Sequence, residues 1–370
     1  MNLAEQEKPR AFGTGLIALD LVTSANLNLP ILAWAGGTCG NVLSILAYLG
    51  WESYPIARMN GDPASERVKA DMSRWGVKLD FASCEPTSHT PIIIQEIRRG
   101  RDGSPTHRFS WSCPRCGQWL PSFRPVTRHA VDVVGDEIKR AQVFFLDRVS
   151  RAALTLAARA ADAGAIIMFE PAGKSDPKLF AEALQLAHIV KYADQRLSDA
   201  DGAMTSGTAT VLEVQTTGIQ GLRYRHRLAE HPSDWVHLPA VSAPQLVDNC
   251  GSGDWCSAGL LSKIAPAGLS GLRSANIEHL TDALRYGQAL AAWNCAFEGA
   301  RGGMYAVERE RFDDLIGKIL DGCLGGPIPG LKVVAEETVS CPACPPAMHG
   351  RPERSHNSPL RRKMLSRRVA

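Results

Sequence analysis

Short apolar runs alternate with amphipathic stretches along most of this chain. Residues 12–24 (FGTGLIALDLVTS) read as an apolar strand passing into a polar one, followed by an extended excursion over 25–35. The run NVLSILAYL (41–49) has helical spacing and stops at Gly50. Residues 53–58 read as a short strand and 62–75 as a helix ending before Gly76. Residues 91–98 (PIIIQEIR) form a strand closed by the turn GRDGSP. The Pro- and Cys-rich segment 112–125 interrupts the pattern and reads as a loop. Beyond it VFFLD (143–147), AIIMFE (165–170), HIVKY (188–192) and 222–227 read as strands. Residues 150–163, 177–187, 208–214, 254–265 and 281–298 read as helices. Apolar strands alternating with helices predict an α/β fold around a mainly parallel sheet covered on both faces. The early strands within 12–35 and 91–111 suit a separate small sheet, placed as a lid.

Composition narrows this. A chain of 370 residues, 45% of them hydrophobic, can hold one large domain with a small accessory layer. Its charge of +3 is unevenly placed: residues 351–370 carry seven Arg/Lys and one Glu, so the rest is slightly acidic. Nucleic acid is therefore not an expected partner of the body. The periodicity ends near residue 335. The predicted organisation is an N-terminal extension (1–11), a single domain (12–335) and a disordered basic tail (336–370). No apolar run approaches the roughly 18–20 residues that span a bilayer, and the N-terminus lacks the apolar stretch of a signal peptide. A cytoplasmic protein with no membrane partner is expected, its ten cysteines mostly thiols.

The segment VDNCGSGDWCSAGLLSKIA (247–265) carries the clearest chemistry. Gly251, Ser252 and Gly253 stand just before a helix, where small residues admit an anion to unpaired amides. Asp254 follows on the first helical turn. A carboxylate there suits accepting the proton of a hydroxyl that attacks a phosphoryl group, while the amides hold the transferring charge. Read by spacing alone, GSGD is equally a tight turn whose Asp favours the helix dipole. Cys250 and Cys256 flank it. They read as packing residues, with a thiol pKa that the helix end can lower.

The same segment resembles the C-terminal signature of the ribokinase/PfkB family, D-T-x-G-A-G-D, standing here as Asp248-Asn249-Cys250-Gly251-Ser252-Gly253-Asp254. AGGTCGNVLSILAYLG (35–50) is similar to the family's N-terminal G-G-x-x-x-N signature. GTGLIALDLV (13–22) is similar to its first strand, and TTGIQGLRYR (216–225) to its T-x-G-x-x-G turn. YGQALAAWNCAFEGARGG (286–303) is similar to the helix and loop over the nucleotide base. The resemblance runs in order over about residues 12–310. It implies a ribokinase-like three-layer α/β/α sandwich with a small β lid. The implied activity is transfer of the ATP γ-phosphoryl group to a hydroxyl of a sugar or nucleoside, with Mg²⁺. By the same resemblance Asp254 is the base and residues 251–254 the anion hole. Asp20, Gly36, Gly37 and Asn41 hold the acceptor; Thr217, Gly218, Gly221 and Gln288 line the ATP site. Asp248 lies beside a site for a monovalent cation such as K⁺. Read locally, Asn41 is an N-cap and 286–303 an Ala-rich packing helix. A lid sheet shared between two chains would give a homodimer.

Three departures stand out. Where the family carries N-x-x-E, this chain has Ala193 and Arg196, with Asp194 and Asp199 as the nearby acids. Glu170 stands where the family often has Asp. Asp147-Arg148, at another strand end, reads as a substrate contact or as a surface ion pair. The missing acid leaves open a sugar-binding sensor that transfers phosphate poorly. Cys113 and Cys116, a C-x-x-C pair, suit zinc if joined by Cys341 and Cys344. That reading would make the chain a zinc-dependent adaptor, against plain thiols or a redox pair.

Overall fold

The computed structural model describes residues 7–23, 31–59, 61–83, 88–101, 103, 105–113, 116–174, 176–197, 203–204 and 207–328. The predicted tail, Cys341, Cys344 and Asp199 lie outside these.

Among the described residues twelve strands form two sheets. They are β1 (Arg10–Thr14), β2 (Ala18–Thr23), β3 (Leu32–Gly36), β4 (Glu52–Pro55), β5 (Ile92–Arg99) and β6 (Pro105–Ser110). After these come β7 (Val143–Leu146), β8 (Ile166–Phe169), β9 (Ile189–Ala193), β10 (Leu212–Thr216), β11 (Leu222–His226) and β12 (Val236–Leu238). The helices are α1 (Thr38–Tyr48), α2 (Pro63–Arg74), α3 (Arg128–Val134), α4 (Arg151–Asp162) and α5 (Pro177–Leu186). They continue as α6 (Ser252–Ile264), α7 (Gly268–Ser274), α8 (Ile277–Asn294), α9 (Gly302–Tyr305) and α10 (Arg309–Leu320).

The large sheet runs β12-β11-β10-β9-β8-β7-β1-β4. It is parallel from β4 to β10, and β11 and β12 close it antiparallel. Alternation along its strands divides the core in two, since neighbouring side chains on a strand face opposite ways. Ala11, Val143, Phe145, Ile166 and Met168 pack with α1, α6 and α8. Phe12, Phe144, Leu146, Ile167 and Phe169 pack with α3, α4 and α5. Both faces are covered, and the predicted three-layer α/β/α sandwich is what the chain forms.

The small sheet runs β3-β2-β5-β6, from the two segments set aside as lid strands. Residues 12–24 are thus two strands in different sheets, not one, with Gly15 at φ +154 between them. Strand β1 starts at Arg10, inside the segment expected as an extension. The predicted helix 208–214 is corrected: Leu212–Thr216 is β10, paired on both sides by β9 and β11. Its buried Leu and Val suit a central strand. The small sheet is seated on the body through β3. Arg301, almost fully buried, donates to the Ala35 carbonyl and to Asp71 Oδ2 (2.6 Å), and Tyr305 donates to Asp71 Oδ1 (2.7 Å).

Two glycines decide how close the central helices come. A Cβ on Gly259 of α6 would lie 2.7 Å from the Gly287 Cα of α8, and one on Gly287 would lie 2.6 Å from the Cys256 carbonyl oxygen. Backbone meets backbone at this crossing. Gly287→Ala should therefore push α6 and α8 apart. The expected loss is about 1–3 kcal/mol, despite the better helix propensity of Ala. Chemical denaturation would read it.

Candidate active site

Helices α2, α4, α5 and α8 begin with a side-chain cap, from Asp62, Ser150, Asp176 and Asn276. Helices α1 and α6 do not: each starts at a glycine of positive φ, Gly37 (+77) and Gly251 (+74). A Cβ on Gly251 would lie 2.3 Å from the Ala300 carbonyl oxygen, and one on Gly37 would lie 2.4 Å from that of Leu16. Only glycine fits either place. Among the described residues, the Gly253 and Asp254 amides have no hydrogen-bond acceptor. The N-terminus of α6 thus presents free N–H groups, as an anion site requires.

Asp254, buried on the first turn of α6, accepts a hydrogen bond from Asn41 Nδ2 at 2.7 Å. The two signatures, 213 positions apart, meet at this contact. Asn41 lies inside α1 and does not cap it, so its N-cap reading is corrected. Burial and then the nearby Glu170 charge push the Asp254 carboxyl up to about 7, against the opposing effects of Asn41, Lys191 and Arg196.

Other carboxylates gather at the C-terminal ends of the strands, where open α/β sheets bind ligands. Asp147 follows β7. Its Oδ1 accepts the Leu16 amide (2.9 Å) and its Oδ2 an Arg148 Nη1 (2.7 Å), and burial raises its pKa to about 6. Glu170 follows β8 and pairs with Lys191 of β9 at 2.8 Å, both side chains buried. Lys191 Nζ also donates to the Gly253 carbonyl (3.0 Å), and Ser257 Oγ to Glu170. Burial works most strongly against the Lys191 charge, but Glu170 together with Cys256 and Asp254 holds the pKa above its ordinary value.

On the small sheet, Asp20 of β2 faces Gly36 and Gly37. A Cβ on Gly36 would lie 1.9 Å from its Oδ2, and the Gly37 amide reaches that oxygen at 3.4 Å. Burial lifts the Asp20 pKa to about 7, although the Gly37 bond and Arg301 oppose it. Asp20 Oδ1, Asn41 Oδ1 and Gln288 Nε2 are buried without a partner.

Asp248 accepts from the Cys250 amide (3.0 Å) on Oδ1, and from Gln95 Nε2 (2.8 Å) and the Gly299 amide (2.9 Å) on Oδ2. Its carboxylate ties β5 of the small sheet to the body. That leaves little capacity for ligating a cation through it. Thr217, Gly218 and Gly221 form the turn between β10 and β11, closed by Thr217 N–H to the Gly221 carbonyl at 2.9 Å. A Cβ on Gly221 would lie 2.2 Å from the Leu238 carbonyl oxygen. Gln288 lies apart from this turn in sequence, on the buried face of α8. Cys250 and Cys256 are buried, and burial raises both thiol pKa values. Both sit as buried packing residues, and burial outweighs the lowering that a helix end can give. Cys113 is buried and Cys116 half-buried in the loop beyond β6. Among the described residues no three His, Cys, Asp or Glu are grouped to hold a metal ion.

A model of the pfkB family of carbohydrate kinases matches residues 33–305, most of the chain. The chain belongs to that family. Among solved structures, a fructokinase with bound ATP from Xylella fastidiosa is 20% identical at a TM-score of 0.63, covering 84% of this chain and 99% of that one. The aminoimidazole riboside kinase of Salmonella enterica is 19% identical (TM-score 0.61; 83% and 99% covered). A Burkholderia thailandensis nucleoside kinase in complex with inosine is 18% identical (0.60; 83% and 96%). These likenesses are of fold. A comparison with curated proteins found no match.

Two buried cations of this pfkB kinase escaped the sequence reading. Lys191 was legible as a lysine inside an apolar strand run, a placement that calls for a partner. Arg301 left no such signal, because its clasp on Ala35 and Asp71 spans more than 200 positions. No helix of the described residues is long and apolar enough to cross a membrane.

Proposed function

We propose that the chain transfers the γ-phosphoryl group of ATP to a hydroxyl of a sugar or nucleoside-like acceptor, with Asp254 as general base. The observation that carries this is the Asp254 carboxyl, held by Asn41 at 2.7 Å over the uncapped end of α6 with a pKa near 7. A base is most useful when its pKa lies near the working pH.

In this reading Asp20, Gly36, Gly37 and Asn41 hold the acceptor between the small sheet and the body. Asp20 Oδ1 and Asn41 Oδ1 are the open acceptors for its hydroxyl protons. Asp254 takes the proton of the attacking hydroxyl as the new O–P bond forms and ADP leaves. The amides over Gly251–Asp254 hold the charge on the transferring group. Thr217, Gly218, Gly221 and Gln288 line the nucleotide side. Glu170 is already paired to Lys191, and among the described residues no acidic cluster is grouped for Mg²⁺. The ion would come with the ATP phosphates and its own waters. A fructokinase from Vibrio cholerae is described in a fructose-, ADP- and potassium-bound form. For this chain K⁺ beside Asp248 remains part of the proposal, through groups other than the engaged carboxylate.

ADP release from ATP and Mg²⁺, measured across a panel of sugars and nucleosides, tests the reading. Acceptor-dependent release is expected, and kcat/KM should rise with pH to a plateau above an apparent pKa of about 7 as the base ionises. Acceptors that stabilise the protein thermally without any ADP release would replace the kinase by the sensor that Ala193 and Arg196 suggest.

A further inference from the structure

Strand β9 ends at Ala193, and the chain turns at once. The Arg196 and Leu197 amides both donate to the Ala193 carbonyl at 3.0 Å, and the Asp194 amide donates to that of Thr216 at 3.0 Å. Buried Leu197 pins the turn. Arg196 is thereby fixed at the C-terminal edge of the sheet. Glu170, following β8, lies to one side of it and the Thr217–Gly221 turn, following β10, to the other. Its side chain is exposed and makes no ion pair among the described residues. Three other basic groups near the centre are engaged: Lys191 with Glu170, Arg148 with Asp147, Arg301 with Asp71.

The Arg196 charge favours the ionised forms of Asp254, Asp147 and Cys250, which stand on α6, at the end of β7 and in the loop before α6. Lys191, earlier on the same strand, bonds the Gly253 carbonyl, so the end of β9 that carries Arg196 lies beside the N-terminus of α6, where the amides await an anion.

We infer that Arg196 is a phosphate-binding residue of this site, its guanidinium gripping the terminal phosphate of ATP opposite the α6 amides. The inference rests on the kinase reading above and deepens it. A guanidinium suits the task because it stays charged and presents paired N–H donors to two phosphate oxygens. It transfers no proton. The acceptor's proton goes to Asp254, the acceptor oxygen bonds to the γ-phosphorus, and the electron pair of the broken bond leaves with ADP. Arg196 holds the equatorial oxygens throughout and offsets the carboxylates around them. An acidic residue at position 196 would instead repel that phosphate unless a metal ion stood between. The chain has thus placed a fixed cation where an acid would have needed a bound one.

Arg196→Gln and Arg196→Lys in the full chain test this. ATP and ADP affinities would be measured by calorimetry with Mg²⁺ present, alongside turnover. The wild-type chain should bind ATP more tightly than ADP. Arg196→Gln should lose roughly 10- to 100-fold in ATP affinity or in kcat/KM for ATP, the size of charge-assisted bonds removed. Its ADP affinity and its KM for the acceptor should stay within about twofold of wild type on the same grounds. Arg196→Lys should recover part of the loss. Unchanged ATP affinity and turnover in Arg196→Gln would overturn the inference and leave the kinase standing. Equal losses for ATP and ADP would also overturn it, by showing a merely structural role. A wild-type chain that binds no ATP would remove the kinase reading and this inference together.

Discussion

Asp254→Asn should lower kcat by at least about a thousandfold, within the range of a lost general base, while leaving ATP affinity nearly unchanged. The amide oxygen introduced there can still accept the Asn41 bond, so the geometry survives and only the proton acceptor goes. Stability should move the opposite way. In the folded chain the Asp254 pKa is raised from 3.8 to about 7. Between those values the unfolded chain ionises freely and the folded one does not. Wild-type stability is therefore fully present below about pH 4, falls as pH rises toward 7, and is level above that. About three units correspond to roughly 4 kcal/mol. Asp254→Asn escapes this cost, so its melting temperature should exceed that of wild type at pH 8 and match it near pH 4. Single-turnover kinetics with thermal unfolding at both pH values would read the pair of effects. An inactive variant that is also less stable at pH 8 would point to a structural Asp254.

Lys191→Met should be the most damaging single change to stability near the site. It removes the partner of Glu170 at 2.8 Å, with both groups buried. Orphaning one half of such a pair costs about 3–5 kcal/mol. It also frees the Gly253 carbonyl and removes a charge that lowers the Asp254 pKa. The double variant Lys191→Met with Glu170→Gln leaves no unpaired charge, and urea denaturation should show most of the loss recovered. Any activity that remains in the double variant should keep its pH midpoint near or below that of wild type, because the Glu170 repulsion is gone as well. Equal destabilisation of the single and double variants would mean that packing, and not charge, sets the cost.

What the sequence disclosed depended on how local each signal was. The glycine-framed Asp254 and the apolar strands 143–147 and 165–170 declare themselves within a few residues, and they stand where expected. Asn41 also declared itself, but its local reading as an N-cap failed because its true partner lies 213 positions away. The segment 208–214 was misread for a related reason. Leu212–Thr216 is a strand because β9 and β11 flank it, a fact written in two other segments. The binding roles of Asp20 and Gln288 came from likeness. What the structure adds is that each has a buried polar atom with no protein partner.

The bare crossing of α6 and α8 bears on how such a site can move. With Gly259 and Gly287 backbone to backbone, neither helix can roll or slide without a steric clash, so the Asp254 carboxylate and the amides beside it stand on a fixed post. The small sheet meets this side of the body where Gln95 bonds Asp248 and His107 stands 4.0 Å from the same carboxylate, besides its seating at β3. In the proposed reaction, opening and closing would then fall to that sheet, while the reacting groups keep their aim.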